Sequence, residues 1–281
     1  GIPAAVLPSY NFANSQVQGL QGGNPLLDEE VADTVTFGVV FQSPFQGPLA
    51  GLQASIDYYQ IEIEDAISQI AADTFIQRCF NPAFNPNFEN SNFFCSLFRR
   101  DVGTGEIIDA LEVDINVAQL EIQGFDFQVD YVVDIGPGTL DMKVVSTRLD
   151  SWKQAAIAGE PLEEFAGTAG FDFDALPEWK TTFALGYAWS GIDLNARWRH
   201  IAEMTDTDFP DYKLDSMDYF DFTGSYTFSD NTLDGLVLRV GITNILDEEP
   251  IIYPSYQQSN TDPSTYDILG RRYFVQAEYT F

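Results

Sequence analysis

One pattern constrains this chain more than any other: apolar and polar side chains alternate in runs of about ten residues, and the runs recur about nine times. At 34–42 (TVTFGVVFQ), Val35, Phe37, Val39 and Phe41 share a face opposite Thr34, Thr36, Gly38 and Gln42. At 179–189 (WKTTFALGYAW), Trp179, Thr181, Phe183, Leu185, Tyr187 and Trp189 oppose Lys180, Thr182, Ala184, Gly186 and Ala188. The same arrangement returns at 124–134, 139–147, 192–200, 219–228, 236–245 and 271–281, with a blurred version at 52–63. Period two is the signature of a strand with two different faces, and no comparable helical stripe competes with it, so the chain reads as all-β.

The spacing between runs narrows the class further. Connections alternate in length: 43–51 is short and the next, near 65–118, is long. IGPG precedes a long stretch near 150–176, SG (Ser190, Gly191) precedes 202–218, and SDNTLDG precedes 246–267. Short turns at one rim and long loops at the other fit an antiparallel up-and-down transmembrane β-barrel, whereas a Greek-key sandwich would scatter its long connections. Residues 1–33 then read as an external loop segment leading into the barrel, and 34–281 as barrel. The polar faces suit a wet or plugged lumen, and the opposite faces carry aromatics near strand ends.

Composition excludes other classes. The 281 residues are 45% hydrophobic and 14% aromatic, enough for a large apolar surface. With 13 Lys and Arg against 43 Asp and Glu, the net charge of −30 repels nucleic acid. No apolar run reaches the roughly 20 residues of a spanning helix. The opening GIPAAVLPSYNFANSQ lacks the basic start and apolar core of a signal peptide, so either the protein is cytoplasmic or its true N-terminus lies upstream.

Three motifs carry a family resemblance. VGITNILDEEP (240–250) resembles the motif on the penultimate strand of TonB-dependent outer-membrane receptors, on Gly241, Asn244 and Asp247. LGRRYFVQAEYTF (269–281) resembles their last strand, with Gly270 and Arg271 leading in and an aromatic at the end. GGNPLLDEEVADTVTFGVVF (22–41) is similar to a stretch midway through such barrels, with Asp28 where that stretch carries Pro. The resemblance implies the C-terminal portion of a barrel of about 22 strands, lacking the plug domain. It implies active transport of a scarce ligand (a siderophore, cobalamin, haem or an oligosaccharide) across the bacterial outer membrane. The TonB complex would act through the missing N-terminal region, and the C-terminus would lie in the periplasm. Tyr279 and Phe281 would form the signal read by the outer-membrane assembly machinery, or be the last lipid-facing residues of a strand. Outer-membrane lipid and lipopolysaccharide would surround the wall. A passive or adhesive outer-membrane barrel and a soluble acidic carbohydrate-binding β-module are the alternative readings.

Within that frame the chain reads as no enzyme, and no cofactor is implied. His200 is the only histidine, no GxSxG elbow occurs, and Cys and His do not cluster at metal-ligand spacing. Cys79 and Cys95 share the longest loop, where an oxidising cell surface favours their pairing over two free thiols. Phe80, Phe84, Phe88, Phe93 and Phe94, among asparagines, suit either stacking on a ligand or a satellite core that keeps the loop folded. Basic residues on strands (Lys143, Arg148, Lys180, Arg197, Arg199, Arg239 and Arg272) are expected to face the lumen. The acidic loops read as a solvated surface or as carboxylates bridged by a divalent cation to lipopolysaccharide phosphates. Loop composition does not choose the ligand.

Overall fold

A computed structural model describes residues 18–155, 157, 160–170, 175–229, 232–254 and 260–280. The first 17 residues of the expected entry loop, and Phe281, lie outside the described residues. The described residues form two compact units, one within 18–32, 63–120 and 154–162, the other within 33–62, 121–153 and 163–280.

The principal sheet takes its strands in strict chain order: β2 (Val31–Gln42), β3 (Leu52–Ser68), β6 (Ile115–Ile135), β7 (Gly138–Ala155), β10 (Trp179–Trp189), β11 (Ile192–Ile201), β14 (Met217–Thr227), β15 (Leu236–Thr243) and β16 (Arg272–Tyr279). The two-residue β8 (Glu163–Glu164) adds to β7. Sequential order is the up-and-down arrangement, with no Greek-key crossing. Most strands hold at least the nine to eleven residues, by order of magnitude, that a tilted crossing needs.

Register turns the alternation into two chemically distinct faces. On one face Met142, Leu185, Ala196, Phe222, Ile242 and Tyr273 line up across six strands. The neighbouring row on that face is Val144, Phe183, Trp198 and Phe220. The other face carries Asp141, Gly186, Asn195, Thr223, Gly241 and Phe274 in a row, beside Lys143, Ala184, Arg197 and Asp221. A one-residue slip anywhere would move a whole strand's apolar set to the polar side, so the pattern itself enforces the pairing.

The apolar band has a definite upper limit. Beyond the Trp198 row the same face turns polar, with Ser146, Thr181, His200 and Asp218 in register. The Ser146 and Thr181 hydroxyls lie 2.6 Å apart, and Asp218 Oδ1 accepts the Trp198 indole N–H at 2.7 Å and meets His200 Nδ1 at 2.9 Å. From Ile192 to His200 the strand rises roughly 26 Å, or about 20 Å along a membrane normal at the usual tilt. Arg148 corrects an expectation here. It lies opposite Trp179 on the apolar face, its guanidinium 5.4 Å from the indole centroid and 3.1 Å from Asp150, because no bulge interrupts the even-numbered face of β7. At this height the cation stacks on a ring at the rim instead of entering the lumen.

Among the described residues, two smaller sheets and two α-helices lie outside the principal sheet. β1 (Gln18–Gly22), in the expected entry loop, runs parallel to β5 (Ile107–Val113), which pairs with β4 (Phe98–Arg100). β12 (Met204–Asp206) pairs with β9 (Thr168–Ala169) and β13 (Lys213–Leu214). Helices α1 (Ala72–Cys79) and α2 (Phe93–Ser96) were not expected. The signal for α1 was present but short: Ala72, Phe75, Ile76 and Cys79 stand at helical spacing and all meet the core of their unit.

Candidate functional site

The first unit builds a stapled loop. Cys79 and Cys95 are bonded, with their Cα atoms 4.9 Å apart. Phe75, Cys79, Phe94, Leu97, Phe98 and Ala110 are its buried centre, with Phe84 packed against them. Arg78 lies over the rings of Phe84 and Phe94, at 4.9 and 5.6 Å, and pairs with Glu160 at 2.9 Å. The five phenylalanines therefore divide. Phe84 and Phe94 serve the core, whereas Phe80, Phe88 and Phe93 are 44%, 55% and 44% exposed.

Asn85 organises this loop from within. Its side chain is buried, donates to the carbonyls of Cys79 (2.8 Å) and Glu89 (3.1 Å) and to Cys95 Sγ (3.3 Å), and accepts the Glu89 N–H at 2.9 Å. The turn it pins holds Phe88 at φ +53°, a left-handed conformation that costs a bulky residue about 1–2 kcal/mol. Asn92 caps α2 by accepting the Phe94 N–H and donates to the Phe84 carbonyl. Nearby, the Thr104 and Gly103 N–H groups and the Thr104 hydroxyl hold the Asp101 carboxyl below its usual range.

The second unit brings the motif residues together. Asn244, fully buried at φ +54°, donates to the Glu248 carbonyl and accepts the Glu248 N–H, closing a turn that delivers Asp247. Asp247 Oδ1 accepts the Arg271 N–H at 2.8 Å, and Oδ2 accepts its guanidinium at 3.1 Å. Gly270 precedes at φ +67°, where a side chain would be strained and a Cβ would press on Asp247 Oδ1. Gly241 is bare for another reason: the Phe274 ring from β16 occupies the space a Cβ would take. These five residues tie β15 to β16, an architectural task.

Asp221 and Asp267 were missed by sequence reasoning. Asp221 accepts from Arg197 (2.7 Å), Arg199 (3.3 Å) and the Asn244 N–H (2.9 Å), while Asp267 meets Arg272 at 2.8 Å and Arg199 at 3.8 Å. The Arg199 guanidinium also lies 4.9 Å from the Tyr219 ring centroid. Only register reveals these partners, since they lie on different strands and loops.

Beside this network, Tyr219, Tyr253, Tyr266, Met204, Leu214 and Met217 form a buried loop core. The Tyr253 hydroxyl donates to the Gly170 carbonyl at 2.9 Å. Burial first, then the charges of Asp206, Asp262 and Asp208, push the Tyr253 phenol well above its ordinary range; burial and Asp262 do the same to Tyr266. A cavity of about 250 Å³ is lined by Trp179, Glu178, Glu203 and Lys213 among others. Among the described residues no three His, Cys, Asp or Glu side chains are grouped to hold a metal ion.

The model of one protein family, described as TonB dependent receptor-like, beta-barrel, matches residues 4–245. Among solved structures, the chain is similar to the outer membrane transporter YddB from Escherichia coli, at 13% identity and TM-score 0.58, covering 95% of this chain and 35% of that one. It is similar to the FrpB iron transporter from Neisseria meningitidis (F3-3 variant), at 13% identity and TM-score 0.56, covering 94% and 33%. The siderophore receptor PirA from Acinetobacter baumannii follows the same pattern, at 16% identity and TM-score 0.55, covering 93% and 33%. The chain thus spans about a third of the length of these structures, and at such identities the likeness shows the fold alone. No curated protein sequence matches significantly.

Proposed function

This chain belongs to the TonB dependent receptor-like, beta-barrel family, and on that premise we propose that it is the C-terminal wall and loops of a plug-gated active transporter in the bacterial outer membrane. The observation that carries the reading is the sequential sheet, with one apolar face ending at the Ser146–Thr181–His200–Asp218 row and with short and long connections in alternation. The apolar face meets lipid, the polar face lines the lumen, and the long loops face the cell exterior where ligand is captured. Because every backbone polar group must be paired in lipid, β2 and β16 need partner strands, which the rest of a longer barrel supplies. Tyr279 and Phe281 then serve as the assembly signal at the periplasmic rim, and TonB engages the plug. The iron and siderophore named for similar structures are not assigned to this chain, since fold likeness does not carry a ligand.

The test is in vivo crosslinking of the full-length protein to TonB, combined with membrane fractionation. Recovery in the outer membrane, with a crosslink lost when the proton-motive force is collapsed, is the expected result. Recovery there with no crosslink would indicate a passive or adhesive barrel, and recovery in the aqueous phase a soluble module.

A further inference from the structure

Building on that transport reading, we propose that the solute recognised by the stapled loop is an uncharged oligosaccharide, with Phe88 as a principal contact residue. The rings are placed around the disulfide. Phe80 follows Cys79 directly, Phe93 stands two residues before Cys95, and Asn85 pins the Phe88 turn to the same disulfide. Three exposed phenyl rings therefore emerge around one rigid centre. Phe88 is the most telling of them: its backbone is held left-handed while more than half of the side chain remains in water. A strained conformation that gains no burial, kept in place by an over-determined turn, is a cost that folding alone does not explain.

Charge selects against an anionic solute. In the first unit Arg78 is committed to Glu160 and Arg99 to Asp109, while Arg100 lies over Phe80 and Phe98 and donates to the Gly105 carbonyl. These three are the cations of the first unit, all of them paired or stacked, and the net charge of the chain is −30, so an anionic chelate would meet a repulsive field. Phe88 stands between exposed Asn87 and Glu89, and a ring flanked by an amide and a carboxylate matches a neutral sugar: its C–H face lies on the ring, and its hydroxyls donate to carboxylate and amide oxygens.

The experiment uses detergent-solubilised full-length protein and a panel of short neutral glucan, xylan and mannan oligosaccharides. Sulfated and uronic-acid counterparts and an anionic tris-catecholate ferric chelate complete the panel. At least one neutral glycan should bind in preference to its charged counterpart. Phe88→Gly should weaken that binding at least tenfold without lowering the thermal midpoint, since glycine accepts the left-handed backbone, and Phe88→Tyr should retain it. Binding confined to anionic members, no binding to any neutral glycan, or unchanged affinity in Phe88→Gly would each overturn the proposal. Binding in detergent needs no energy coupling, so failure here leaves the transport reading standing, and loss of the TonB crosslink leaves this binding intact.

Discussion

Asp247 grips Arg271 twice, at the backbone N–H through Oδ1 (2.8 Å) and at the guanidinium through Oδ2 (3.1 Å), joining the end of β15 to the start of β16. Both side chains are well exposed, so the ion pair itself contributes little, and the backbone contact matters more. Asp247→Ala should cost about 1–2 kcal/mol and Gly270→Ala, which forces a side chain into the left-handed region, a similar amount. Denaturant unfolding of the full-length protein in lipid checks both. Asp247→Asn, which keeps the Oδ1 acceptor, should cost less than Asp247→Ala.

Neighbouring positions on β11 should respond oppositely to charge. Ala196 lies in the apolar row between Leu185 and Phe222, and Asn195 in the polar row between Gly186 and Thr223. Ala196→Arg should cost about 2–4 kcal/mol near the midplane, and Asn195→Arg less than about 1. Refolding into lipid vesicles measures the difference.

The stapled loop should be oxidised in the mature protein. Thiol labelling of intact cells under non-reducing conditions should find neither Cys79 nor Cys95 reactive. Cys79→Ser with Cys95→Ser should destabilise the loop by roughly 3 kcal/mol in the chain-entropy model, read as faster proteolysis within 80–94 while the strands remain protected.

Alkaline pH should loosen the loops around Tyr253 and Tyr266. Both phenols are raised above the ordinary value of 10.0, so the folded loops favour the neutral form. Their contribution is complete below pH 10 and declines as pH rises from there toward the folded values. Absorbance titration should show a class of late-ionising tyrosines, and Tyr253→Phe with Tyr266→Phe should shrink that class by two.

The alternation made the strands legible because lipid or core on one side and water on the other leave a period of two in the residues themselves. Register was less legible. Arg148 looked luminal beside Lys143, yet it lies on the other face at the height where Trp179 can receive it. Asp221 gave no local sign that it would gather Arg197, Arg199 and the Asn244 N–H, because those contacts exist only once β11, β14 and β15 are side by side. The motif residues Asn244, Asp247, Gly270 and Arg271 were visible as a resemblance, but their joint task was not, since 244–247 and 270–271 meet only through the turn geometry. The loop phenylalanines could not be sorted from composition; burial separates Phe84 and Phe94 from Phe80, Phe88 and Phe93.

The central claim is that one face of this sheet meets lipid, and a nitroxide scan along β11 tests it most directly. Single cysteines at 193–198, labelled in the full-length protein in lipid vesicles lacking Cys79 and Cys95, would be probed with oxygen, which concentrates in the bilayer, and with a water-soluble nickel chelate. The account predicts strict alternation. Positions 194, 196 and 198 should be oxygen-accessible and shielded from nickel, and 193, 195 and 197 should show less oxygen contact. Equal nickel accessibility on both faces, with no oxygen maximum at 196, would contradict it.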